Sequence, residues 1–205
     1  MTKKIAATKA NLLALKDAYN FAKKGYELLD KKRTVLIKEI MDRNKEAADL
    51  QEKIEDSFKK SYESLLEASI TMGSGPVYEM SHSIAKEKEY EIVSKSVMGV
   101  EIPKIKYESE ELKTEYSLHN TTVAFDIASL DMHNIKYLIY QLAEIETSIF
   151  RLAQEIKKTG KKANALEKVQ IPKYKKMIND IENELEEKER DDFFRLKKVK
   201  DKKKS

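Results

Sequence analysis

Residues 138–166 read LIYQLAEIETSIFRLAQEIKKTGKKANAL, and within them Leu138, Leu142, Ile145, Ile149, Leu152, Ile156, Thr159, Ala163 and Leu166 stand at alternating steps of four and three. Their mean step of about 3.5 residues falls just short of the α-helical turn of about 3.6, so the line of side chains keeps facing a partner only if two helices wind around each other. The stretch therefore predicts one strand of a coiled coil. Downstream, the steps from Leu166 through Gln170 and Tyr174 to Ile178 are four, four and four, before the seam resumes at Ile181 and Leu185. This frame slip lies beside Pro172, which predicts a kink or local unwinding there.

The N-terminal segment carries a matching seam. One heptad series runs Ile5, Leu12, Tyr19, Tyr26, Arg33, Ile40, Ala47, Ile54, and its companion runs Thr8, Leu15, Ala22, Leu29, Leu36, Arg43, Leu50. After Ile54 the larger apolar residues Phe58, Tyr62 and Leu65, followed by Ser69, drift toward the period of a straight helix, so the supercoil is expected to relax. Arg33 and Arg43 occupy seam positions, where a buried charge is costly unless paired, and they read as register devices or as places where the groove opens to a partner. Glu146 and Glu155 are the acids expected within reach across the pair.

Glycine and proline divide the chain. Gly73, Gly75, Pro76, Gly99 and Pro103 fall in one central stretch, and the flanking segments, about 4–70 and 122–200, are interrupted only by Gly25, Gly160 and Pro172. In the centre, Tyr90, Ile92 and Val93, then Val97-Met98-Gly99-Val100, then Ile102 and Ile105 predict a short β-hairpin near 89–107, with Gly99 in or beside the turn and Pro103 restricting its strand to an edge. A lone hairpin is marginal and must lean on a neighbour. The predicted class is mainly α: two very long helices, each on the order of 100 Å, in an antiparallel coiled coil with a small central head. The divisions are 1–70, 71–121 and 122–205, the last with a basic tail. Folding near residue 96 sets Leu29 beside Ala163 and Leu50 beside Leu142, and leaves the terminal helix overhanging. A parallel intermolecular dimer is the alternative pairing; small seam residues opposite bulky ones fit the hairpin better.

Composition supports a thin fold. Charged residues make up 37% of the chain, against roughly a quarter in a typical globular protein, which calls for much surface per unit volume. The 40% of hydrophobic residues, regularly spaced, argues against disorder. Forty basic residues against 36 acidic leave a net charge of +4, an interspersed surface that does not imply nucleic acid. Without cysteine there is no disulfide, thiolate nucleophile or zinc–thiolate site. Lys9 and Lys16 interrupt any signal-peptide core, and no uncharged stretch is long enough to span a bilayer.

Four blocks carry a family resemblance. They are Leu12-Leu13-Ala14-Leu15-Lys16 leading to Ala22–Leu29 and Lys31-Lys32-Arg33; Val97–Pro103; Lys161–Pro172; and Glu186–Lys200. With them the chain resembles the D subunit of the V/A-type rotary ATPases, the central-stalk axle, over essentially its whole length. Lysines at 161 and 162 and alanine at 163 depart from the arginines and valine common in that family. The resemblance implies a shaft inside a ring of catalytic and non-catalytic A and B subunits, clasped by a small F subunit. It further implies a socket subunit joining the shaft to the membrane rotor, and a place on the cytoplasmic side of a membrane as a peripheral part of a bound complex. It implies translocation of protons or sodium ions, coupled to ATP hydrolysis or synthesis in the ring.

The site residues named on this basis are the seam, Leu12, Leu15, Tyr19, Tyr26, Leu29, Leu36, Ile40, Leu138, Leu142, Ile145, Ile149, Leu152, Ile156 and Leu166, and the candidate ring contacts Lys161, Lys162, Arg190, Arg195 and Lys198. No catalytic, cofactor-binding or metal residues are expected. Gly73-Ser74-Gly75-Pro76 lacks the lysine of a phosphate loop, and Gly160-Lys161-Lys162 lacks the upstream glycine and hydroxyl. His82, His119 and His133 have no i, i+4 partner of metal-site spacing. The pairs Glu186-Glu187 and Asp191-Asp192 read as a solvated face. The tail Lys197–Ser205 is short and lacks interleaved aromatics, so it reads as a frayed helix end or a ring contact before it reads as a nucleic-acid or membrane patch. A stand-alone coiled-coil scaffold is the rival to the shaft, with no direct membrane insertion in either case.

Overall fold

The computed structural model describes residues 6–84, 90–107, 116 and 121–204. In chain order the elements are α1 (Lys9–Met72), α2 (Ser74–Ser81), β1 (Glu91–Val97), β2 (Val100–Lys106), α3 (Val123–Ala165), a π-helical turn (Leu166–Gln170) and α4 (Ile171–Lys204). The protein is thus two very long helical segments with a two-stranded antiparallel sheet between them. His119 lies outside the described residues.

Two compact units divide the chain: residues 1–35 with 156–205, and residues 36–155. In the first, the start of α1 runs antiparallel to α4. Lys9 meets Glu189 at 3.0 Å and Lys16 meets Glu182 at 2.7 Å, a seven-residue step answered by a seven-residue step in the opposite direction. Ala7, Leu15, Ile178 and Ile181 form the buried core, with Leu12, Tyr19, Tyr174, Met177 and Leu185 packed against it. From Glu186 to Asp201 every residue of α4 is exposed; Lys188 and Glu189 still reach Ala7 and Lys9, and the residues beyond them form the overhang that the antiparallel register requires.

The frame slip is resolved by the π turn. The Ile171 N–H donates to the Leu166 carbonyl, five residues back instead of four, which gives the turn one extra residue. Pro172 follows at once and has no N–H to donate, so the ladder shifts frame where one rung is missing anyway.

In the second unit the seam behaves differently from the sequence expectation. Tyr62 does not continue it: that ring is 58% exposed, while Ser61 beside it is 0% exposed. The buried line is Ala47, Ile54, Ser61, Ala68, a strict heptad that keeps its supercoil instead of relaxing. The Ser61 hydroxyl donates to the Ala128 carbonyl of α3 at 3.3 Å, and the buried Ser148 hydroxyl donates to the Glu144 carbonyl at 2.7 Å. Those bonds offset the cost of placing hydroxyls in the seam. Large exposed residues and small buried ones mislead a reading that follows size.

Gly73, at φ 86°, ends α1, and α2 begins one residue later. The sequence pattern places this stretch in the head and predicts only a hairpin there, because Gly75 and Pro76 look like breakers. Both are tolerated in a helix's first turn, where the N–H groups have no intrahelical acceptor. Val77 and Met80 of α2 and Met72 of α1 pack on a small core of Ala68, Tyr116 and Phe125.

The hairpin pairs Glu91 with Lys106 through Val97 with Val100 around the loop Met98-Gly99. Both loop residues have positive φ, 52° and 76°, as a type I′ turn requires, and glycine takes the second without strain. Tyr107 stacks within 5.0 Å of Tyr137 and 5.6 Å of Tyr140, and Tyr90 within 5.3 Å of Tyr140. On the outer edge of β2 the Ile105 N–H donates to Glu144 at 3.2 Å, and Arg151 donates to the Glu101 carbonyl at 2.9 Å. Pro103 sits on that same edge by alternation, where its missing N–H breaks no pairing with β1. The neighbour on which the sheet leans is therefore α3.

Candidate functional site

The seam residues are the first candidate site. Leu15, Leu36 and Leu152 are buried, and Leu12, Tyr19, Tyr26, Leu29, Ile40, Leu138, Leu142, Ile145, Ile149, Ile156 and Leu166 are half-buried. Leu36 and Leu152 are among the largest side chains with no solvent contact, and burying such a leucine is worth about 1.5–3 kcal/mol. Ser61, Ser148 and Thr159 join them. The seven-residue spacing from Ala47 and Ile54 is the signal that points to Ser61.

The two seam arginines find their acids on their own helix. Arg43 reaches Glu39 at 3.0 Å, and Arg33 reaches Asp30 at 2.9 Å. One turn of helix brings acid and base together without calling on α3, and such exposed or half-exposed pairs contribute only about 0.3–0.5 kcal/mol. Tyr26 donates to Glu167 at 3.4 Å across the first unit. The Glu167 charge, then burial, raises the Tyr26 phenol above its usual range, so the tyrosine stays a donor.

Lys161 and Lys162 stand exposed before the π turn, and Arg190, Arg195 and Lys198 stand exposed on the overhang. The structure does not gather these five into one cluster. Arg190 pairs with Glu186 at 3.4 Å and Arg195 with Asp192 at 3.9 Å, which leaves a surface of mixed sign.

A feature that sequence patterning does not reveal lies between the two faces of the first unit. Ala18, Phe21, Ala22 and Gly25 of α1 and Leu166, Gln170 and Tyr174 beyond them enclose a groove of about 360 Å³. It is an open trough, without convergent polar groups that would orient a small substrate. Among the described residues no group of three or more His, Cys, Asp or Glu could hold a metal ion, and no helix is long and apolar enough to cross a membrane. The His82 Nδ1–H donates to the Tyr78 carbonyl, 2.9 Å away, and His133 faces Tyr137.

Long helices with buried seam residues within each unit, a charged exterior and an exposed terminal extension define a class: a mainly helical protein of the coiled-coil kind. The comparisons specify it. The family model for the ATP synthase D subunit matches residues 11–201. The D subunit of the V-type ATP synthase of Thermotoga neapolitana is 41% identical over 198 residues, covering 97% of this chain and 98% of its own. The D subunits of the A-type ATP synthases of Pyrococcus abyssi and Methanobrevibacter smithii are 37% and 39% identical, covering 96% and 95% of this chain and 94% and 86% of theirs. The chain belongs to the ATP synthase D-subunit family.

Proposed function

We propose that this protein is the central shaft of a V/A-type rotary ATPase. It carries torque between ATP turnover in a surrounding ring of A and B subunits and ion translocation in a membrane rotor. The observation that supports this most is the buried seam within each unit. A shaft must resist twisting, and side chains locked in the holes of a facing helix cannot slide without opening cavities. A shaft must also release each position it passes, and an exterior of solvated mixed charge suits that, since single exposed ion pairs contribute about 0–1 kcal/mol. The chain itself catalyses nothing on this reading. The F subunit clasps it near the middle of the coiled coil, a socket subunit receives one end, and the assembly sits peripherally on the cytoplasmic side. Lys161, Lys162, Arg190, Arg195 and Lys198 are the proposed ring contacts.

Leu152→Pro tests the reading. Proline removes a rung of α3 and clashes with the preceding turn, about 3 kcal/mol or more, at a position with no solvent contact. In the reconstituted complex, single-molecule rotation and coupled ion transport should be lost while the ring keeps uncoupled ATP hydrolysis. Undiminished rotation would sink the shaft.

A further inference from the structure

Gly25 stands in the interior of α1, where a glycine costs about 0.5–1 kcal/mol relative to alanine. Nothing among the described residues requires it. A Cβ built there would meet only the Leu166 Cδ1, at 3.6 Å, an ordinary contact. What the missing side chain leaves open is the trough lined by Ala18, Phe21, Ala22, Gly25, Leu166, Gln170 and Tyr174. Four residues before Gly25 and three after it, on the same helix face, are Phe21 and Leu28, 80% and 68% exposed. The π turn adds an exposed Val169. This is a set of large apolar side chains facing outward around a notch, with no covering element among the described residues.

Charge identifies the occupant. Residues 21–33 and 161–176 together hold eleven lysines and arginines against three acids, an excess of eight where the whole chain has an excess of four. Two of the three acids are engaged, Asp30 by Arg33 at 2.9 Å and Glu167 by the Tyr26 hydroxyl at 3.4 Å. Among the described residues Lys23, Lys24, Lys161, Lys162, Lys168 and Lys173 have no ion pair.

We propose that the Gly25 notch is a docking seat for an acidic helical segment of a partner protein, whose large apolar side chains enter the trough while its carboxylates meet the surrounding lysines. A nucleic acid would use the lysines but not an apolar trough made by a missing Cβ. The inference rests on the shaft reading for its partner, which is then a segment of the surrounding ring.

The test measures affinity of the full chain for the assembled ring of A and B subunits at low and high salt, with circular-dichroism melting to verify folding. Gly25→Leu fills the notch and should weaken binding about tenfold at both salt concentrations, because the interaction it removes is apolar. Phe21→Ser with Leu28→Ser, both on exposed positions that leave the fold alone, should do the same. Lys162→Glu with Lys168→Glu should weaken binding about tenfold at low salt and much less at high salt, where charge is screened. Gly160→Ala, which nothing approaches within 4 Å, should match the unaltered chain. Wild-type affinity in Gly25→Leu or in the Phe21/Leu28 variant overturns the notch and leaves the shaft standing. Failure of the unaltered chain to bind the ring overturns both.

Discussion

The two units solve one geometric problem in two ways. An α-helix turns through about 3.6 residues while a seam repeats every 3.5, so a straight helix drifts off its partner by about 20° per heptad. In the unit of residues 36–155, Ala47, Ile54, Ser61 and Ala68 repeat in sevens, and supercoiling absorbs the drift. In the unit of residues 1–35 and 156–205, the seam advances twelve residues over three turns from Leu166 to Ile178, and the π turn at Leu166–Gln170 absorbs one of them. The first solution spreads the correction along the helix and the second concentrates it in one turn. A seam can therefore hold its phase either by small residues at strict spacing or by one extra residue at a defined joint.

The sharpest way to break this comparison is by deletion. Removing Lys157, on an α-helical turn, rotates everything beyond it by about 100° and turns Ile178 and Ile181 away from Leu15. We expect loss of the first unit's cooperative unfolding transition in a urea titration. Removing Val169 together with Pro172→Ala instead leaves eleven residues over three turns, which ordinary α geometry fills, and should shift the midpoint only slightly. If both deletions are equally damaging, the π turn is not a phase correction.

A smaller effect is expected from Ser61→Leu. The hydroxyl fits a closed space against the Ala128 carbonyl, and overpacking such a site costs about 1–3 kcal/mol. Ser61→Ala should cost less, about 1 kcal/mol for the lost hydrogen bond. Thermal melting of the two variants ranks them. A leucine that stabilises would show that this unit's seam is looser than its burial implies.

The smallest effect concerns pH. Burial, then the hydrogen bond it donates to Asp126 at 2.9 Å, raises the Tyr116 phenol above its usual value near 10. The folded state holds that proton to higher pH than the unfolded chain, so the contribution is fully present below about pH 10 and is lost as pH rises through the folded value. Tyr116→Phe removes the titrating group. Urea midpoints from pH 8 to 11 should fall more steeply for the unaltered chain than for the variant; parallel slopes would reject the assignment.

What the sequence disclosed follows from what periodicity encodes. Steps of three and four at Leu138–Leu166 announce a helix and its partner together, and a glycine amid β-branched residues announces the hairpin. The phase slip at Gln170 and Tyr174 marks the joint, though not its π geometry. Ser61 and Ser148 escape because hydroxyls carry no hydropathy signal, and their burial depends on carbonyls that only the folded pair supplies. The acids beside Arg33 and Arg43 are expected across the pair when one helical turn suffices. The notch escapes for the opposite reason: Gly25 reads as a weak point in a helix until its surroundings are seen to leave it room.

The exposed stretch of α4 beyond Glu189, which still pairs with Lys9, has a thermodynamic consequence of its own. Helices of about 12–15 residues without tertiary contacts lie close to balance between helix and coil. Here the i, i+4 pairs of Glu184 with Lys188 and Glu186 with Arg190 tip that balance by about 0.2–0.5 kcal/mol each. Backbone hydrogen bonds meet most of the ordering cost of these last turns, and local charge pairing supplies the small remainder that decides the balance before any surface is touched. Raised salt, by screening those pairs, would melt the tip first and make its helicity a direct gauge of engagement.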